Sequence, residues 1–383
     1  MPLWLSYGKE SRFPLVAQSI KTTRVIAITL FALLVQACVS TPASRPKSRP
    51  PVFIPAPKPA PRPVAPRPTP LSDPSRASPA MVDGIRSLWL SYPDKTGIAV
   101  IRDGASWTIE HRGAELFPQQ SVSKLWVAIS LMEAVDQGRL RLSDEVTVTG
   151  SDLAVFSTSM QQLIGADGFQ TTLGELLERA MIKSDNTAND VLMRKVGGPA
   201  AIRAMISAKG LGAIRFGPGE NLLQSGTAGL TWQESYKYGK AFQAARAMLS
   251  EETRAKAMDR YLADPPDGAS PIAIAKALLR LKRGELLSSS STQILLGLME
   301  ASETGKQRLR AGVPWEWRFG HKTGTGQDHK GRNAGYNDVG FMTAPDGTTY
   351  AVVVMIADTR QPVPVRMELM QGISATVGAN HQR

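Results

Sequence analysis

Along this chain the apolar positions change their spacing several times, and each change marks a new element. From Lys124 to Val135 they fall at Leu125, Ala128, Ile129, Met132 and Val135, the spacing of one helix face, and Gly138 closes the run. Leu173–Ile182 and Thr187–Val196 read as further helices, the second ended by Gly197-Gly198. Asp83–Leu90 is a shorter helix, and Glu234–Leu249 and Glu251–Leu262 are helix-like. Gly97–Arg102 and Trp107–Glu110 flank Asp103-Gly104 and predict a β-hairpin. Late in the chain Trp317–Thr325, Asp338–Thr343 and Tyr350–Ala357 predict strands, and Val363–Val377 a closing helix. Strands at both ends with helices between them predict an α/β fold whose antiparallel sheet is assembled from both termini and flanked by helices.

Before this pattern begins, the composition is different. Val25–Val35 reads VIAITLFALLV behind Lys21 and Arg24, the charge-then-apolar order of an export signal, and it is short for a membrane span. It ends at Val35-Gln36-Ala37-Cys38, which resembles a lipoprotein signal whose cysteine becomes the lipidated first residue. Residues 1–38 are therefore expected to export the chain to the periplasmic side of a Gram-negative outer membrane, held by lipid on Cys38, or into the free periplasm without it. Residues 39–80 form a proline-rich basic linker. Fourteen of the 27 prolines lie in 41–80, so a stiff polyproline tether is expected there. The catalytic domain is expected to span 81–383.

Charge and cysteine usage narrow the partners. The net charge is +12, but residues 1–80 carry +9 of it, so the domain is nearly balanced and no nucleic-acid partner is expected. Cys38 is the only cysteine, and none of the four histidines sits in an HExxH pattern, so no metal or other cofactor is expected. A monomer is favoured.

Three short strings carry the chemistry. Ser121-Val122-Ser123-Lys124 places a hydroxyl and an amine three residues apart at the start of a helix, where the two share a face. A serine becomes a nucleophile when a neighbouring base takes its proton, and a lysine serves if burial or nearby charge lowers its pKa. Ser184-Asp185-Asn186 offers a hydroxyl for proton relay and an amide for a substrate carbonyl or for Lys124. In Lys322-Thr323-Gly324-Thr325 the lysine holds the local potential positive, the threonine hydroxyls receive a substrate carboxylate, and Gly324 lets the strand approach the substrate. The backbone amides of Ser121 and Thr325 are the candidate oxyanion hole. Taken singly each string also fits a bland reading: a surface lysine near a cap, a loop between helices, a turning edge strand. Together and in this order they point to serine acyl transfer.

In that order, with FPxxSxxK at Phe117–Lys124, SDNxxN at Ser184–Asn189 and KTGTG at Lys322–Gly326, the chain resembles a class A β-lactamase of the penicillin-recognising serine enzymes over roughly residues 81–380. The resemblance implies an all-helical part beside the α/β part, with Ser121 at their junction, and β-lactams as substrate. Glu220-Asn221-Leu222-Leu223-Gln224 is similar to the family's Glu-x-x-Leu-Asn string. This implies that Glu220 activates the deacylating water, that Gln224 stands where an asparagine usually helps to hold that water, and that Asn189 ties this loop to the helix. The family's carboxylate-binding arginine is not at its common place, which is Asn337-Asp338 here. Arg366 is the candidate, with Arg332 and Arg360 as rivals. An insertion around 226–268 is expected beside the Glu220 loop. A β-lactamase is the leading reading. A D,D-peptidase acting on peptidoglycan stem peptides, or a sensor that stays acylated, shares the same three strings.

Overall fold

The computed structural model describes residues 75–382, so the export signal, Cys38 and nearly all of the proline-rich linker lie outside the described residues. No helix among the described residues is long and apolar enough to cross a membrane.

The main sheet comprises β1 (Thr96–Arg102), β2 (Thr108–His111), β3 (Arg318–Thr325), β4 (Tyr336–Thr343) and β5 (Thr349–Ile356), in the spatial order β2-β1-β5-β4-β3. Every pairing is antiparallel. Ala99 faces Val353 across the first and last strands, so the sheet is closed from both ends of the chain, as the sequence pattern predicts. β5 is buried along its whole length because both of its faces are covered. Val352, Val354 and Ile356 join Ile98 and Val100 under the terminal helices Pro79–Ser91 and Val363–Ala379. Ala351, Val353 and Met355 face the opposite way, into the core shared with the helical part.

That part is built round Lys124–Asp136. The sequence marks one apolar face on this helix, yet Trp126, Val127, Leu131 and Ala134 are buried as well. Helices Leu173–Ile182, Asn186–Lys195, Gly198–Ala208 and Ser289–Glu300 surround it, so it has no solvent face to keep polar. Lys124 is therefore carried into the core at the helix's first position.

The inserted segment differs from its expected form. Glu234–Leu249 is not one helix: a short 3-10 turn, Glu234–Lys237, is followed by Gly239 in the left-handed region and then by a helix at Ala241–Met248. Glu251–Ala263 is helical, with Ser250 accepting from the Thr253 amide as its cap. The segment packs beside the Glu220 helix. Phe242 is buried against Phe156 and Tyr236, both edge-on, and Met258 and Tyr261 pack on Leu223 and Ala334.

Candidate active site

The nucleophile sits on a pinned turn. Gln120–Ser123 is a single 3-10 turn running straight into the Lys124 helix, and Gln120 is held at φ 53°, a region that side chains rarely adopt. Fixed partners hold it there. The Gln120 amide donates to Asp267 Oδ2 (2.8 Å), and its side-chain amide donates to the Tyr261 hydroxyl. Gln119 donates to Arg215 O and Asp267 O, while its own oxygen accepts from Trp126 Nε1. On the sheet side Asn337 donates to Pro118 O (2.7 Å) and Gln119 O (3.1 Å). A Cβ at Gly324 would lie 2.3 Å from Gln119 O, so the missing side chain lets β3 press against the nucleophile turn.

The three strings converge. Lys124 Nζ donates to Ser121 Oγ and to Asn186 Oδ1, both at 2.8 Å, and Lys322 Nζ donates to Ser184 Oγ at 2.8 Å. Ser184 is also left-handed, at φ 59°, which turns its hydroxyl toward the sheet instead of continuing either helix. Asp185 caps the following helix by accepting from the Ala188 amide, so the middle residue of the triplet is structural. Both lysines are buried. Burial first, and then the Lys124 charge, push the Lys322 ammonium well below the usual lysine range.

Glu220 does not lie in an irregular loop. It opens the helix Glu220–Ala228, where the helix dipole favours a carboxylate. Its Oε1 accepts from Asn186 Nδ2 (3.0 Å) and Gln224 Nε2 (2.9 Å). Asn186 thus bridges the Lys124 amine and the Glu220 carboxylate. The expected tie from Asn189 falls one residue later. Asn189 makes only a long bond to Asp190 (3.4 Å), whereas Asp190 accepts from the Glu220 amide (3.1 Å). Burial, and then the Glu220 charge, raise Asp190 to about 7.

Ser121, Asn186, Glu220, Gln224 and Thr325 line one cavity of about 360 Å³, walled further by Phe156, Arg246, Gln327 and Asp328. A cavity of about 400 Å³ between Gly210–Ala213 and Ile272–Arg280 contains none of the three strings. None of the three candidate arginines, Arg366, Arg332 and Arg360, lines this cavity. Arg366 is buried, donates to Gln361 O (2.7 Å) and lies over the Tyr336 ring at 5.5 Å. Arg332 is held by Asp358 and Asp259, and Arg360 donates to Lys330 O. Arg308 touches the KTG string itself: it donates to Thr325 Oγ1 (2.6 Å) and Gly324 O (3.1 Å) and stacks over Tyr336 at 3.7 Å. Nothing in its local sequence marks Arg308, Asp190 or Asp267; each is recruited from a distant part of the chain.

Asp267 provides a test of the pinned turn. It is fully buried and takes its hydrogen bonds from Gln120 N and the Tyr261 hydroxyl, and burial raises it to about 6. Its carboxyl therefore binds a proton more readily in the folded chain than in the unfolded one. Stability is expected to fall as pH rises from about 4 to about 6, by about 3 kcal/mol in total for this group. Denaturant midpoints for wild type and Asp267→Asn at steps across this range should draw apart in proportion. A constant difference between the two would rule out this titration.

Two half-buried serines, each bonded to a buried lysine, with a carboxylate on the same cavity as the first, define an enzyme of the serine acyl-transfer class. Residues 81–380 match the Beta-lactamase enzyme family, and the chain belongs to it, among the class A serine β-lactamases. It is 27% identical to the extended-spectrum β-lactamase PER-1 of Pseudomonas aeruginosa over 289 residues, 75% of this chain and 82% of that one. Its fold is similar to that of a β-lactamase from Chitinophaga pinensis (TM-score 0.65, 25% identity, 78% of this chain and 98% of that one). It also matches an ancestral class A β-lactamase (TM-score 0.61, 27% identity, 78% and 98%).

Proposed function

We propose that the chain hydrolyses the β-lactam amide through an acyl-enzyme on Ser121 and releases it with water activated by Glu220. The observation that carries this is the Asn186 bridge: its amide joins Lys124, which is bonded to Ser121, to Glu220, and Ser121, Asn186 and Glu220 line one cavity. Lys124 takes the Ser121 proton, and Oγ attacks the ring carbonyl. Developing charge on the oxygen rests on the Ser121 and Thr325 amides. As the C–N bond breaks, Ser184 gives its proton to the ring nitrogen and is recharged from the adjacent lysines. Glu220 then takes a proton from water, whose oxygen attacks the ester; the C–Oγ bond breaks, and the proton held by Glu220 passes to Ser121 Oγ. Thr325, which lines the cavity and takes a hydrogen bond from Arg308, is the proposed seat of the substrate carboxylate, with Thr323 and Lys322 behind it on the same strand.

A chromogenic cephalosporin followed by absorbance and by intact mass tests this reading. Many turnovers per chain, with turnover and adduct both lost in Ser121→Ala, are expected. One stoichiometric burst with a lasting acyl mass would move the assignment to a peptidase or a sensor.

A further inference from the structure

The insertion after the Glu220 helix brings a cation to the far end of a string of carboxamides that terminates on Glu220. Arg246, from the inserted helix Ala241–Met248, donates to Gln327 Oε1 at 2.7 Å. Gln327 Nε2 donates to Gln224 Oε1 and to Gln224 O, each at 2.8 Å. Gln224 Nε2 donates to Glu220 Oε1 at 2.9 Å and to Gln120 Oε1 at 3.2 Å.

We infer that Arg246 and Gln327 are positioning residues that orient the Gln224 amide and, through it, the deacylating carboxylate. The inference rests on the reading of Glu220 given above. A carboxamide has a donor end and an acceptor end of nearly equal size, so its orientation is set by its neighbours. A guanidinium only donates, which fixes the oxygen of Gln327 toward Arg246. The nitrogen of Gln327 must then meet an acceptor, which fixes the oxygen of Gln224 toward Gln327. The remaining nitrogen of Gln224 faces Glu220, which as a carboxylate only accepts. The string therefore has one consistent sense, from a donor-only cation to an acceptor-only anion. Reversing either amide sets oxygen against oxygen at one end and nitrogen against nitrogen at the other. Both glutamines are buried, so water cannot repair such a mismatch.

The same geometry accounts for glutamine at position 224. Its longer stem reaches Gln327 while its nitrogen still meets Glu220. It also gives the insertion a task, since Phe242, four residues before Arg246 on the same helix, is held by Phe156 and Tyr236.

The experiment separates acylation from deacylation in the full-length chain. Burst kinetics with the chromogenic cephalosporin give the first rate, and decay of the acyl mass gives the second. Arg246→Ala is expected to slow deacylation about tenfold, the effect of about one lost hydrogen bond, with acylation within about twofold. Gln327→Leu is expected to do the same or more. The double variant should be no slower than Gln327→Leu alone, because both act through one string, and Arg246→Lys should restore most of the rate. Equal slowing of both steps, a change in KM alone, or additive losses in the double variant would overturn the inference. If wild type and Glu220→Gln behave as the proposed function requires while Arg246→Ala leaves deacylation unchanged, only this inference fails. A wild type that never deacylates overturns both.

Discussion

In Glu220→Gln, acylation of Ser121 is expected to persist while deacylation slows by about a hundredfold to ten-thousandfold, the range that removal of a general base covers. The substitution is nearly isosteric. The new side chain keeps an oxygen for Asn186 Nδ2, so the bridge to Lys124 survives, and its backbone amide still meets Asp190. What disappears is the capacity to accept a proton from water. The acyl mass should therefore build up on Ser121 within seconds and clear slowly, in a protein with an unchanged melting temperature to within a few degrees. Loss of acylation and deacylation to the same degree would place Glu220 before the acyl-enzyme instead.

Lys322→Met is expected to move activity and stability in opposite directions. Lys322 is buried, and its polar partners are Ser184 Oγ and the Thr323 carbonyl, neither of which carries charge. The Asp338 carboxylate on the neighbouring strand is taken up by His321 (2.7 Å) and by the Leu309 amide. An ammonium held this way is destabilised by desolvation and by Lys124, which is why its pKa falls well below 10.5. The unfolded chain then binds the proton more tightly, so this group costs stability at every pH below the unfolded value, most on the acid side of the folded one. Methionine fills a similar volume without that cost. The melting temperature at pH 7 should rise by about 2 °C or more, and the gain should vanish toward pH 10.5. Activity should drop by about a hundredfold to a thousandfold, as the fixed positive potential beside Ser184 and Thr325 is lost. A less stable variant, or one with full activity, would contradict this account.

Much of this molecule is legible in one dimension because its signals are local. The apolar spacing after Lys124, the β-branched runs on either side of Asp103-Gly104 and the three strings each depend on neighbours a few residues away. Serine and lysine in SxxK need only one turn to meet, and the 2.8 Å bond follows from that spacing. The insertion is harder to read, since Gly239 breaks a helix-like stretch that composition alone joins into one.

The sequence by itself determined the α/β class, the closing of the sheet from both termini, and the four groups Ser121, Lys124, Ser184 and Lys322, because these rest on short-range periodicity and motif spacing. Only the tertiary structure decided which long-range groups serve them. Asp267 and Tyr261 hold the Gln120 turn, Asp190 rather than Asn189 meets Glu220, and Arg308 rather than Arg366 reaches Thr325. Arg246 enters the site from a segment that the three strings do not include. Each of these pairs lies far apart in sequence, and a side chain's polarity shows that it needs a partner without showing which one burial will bring.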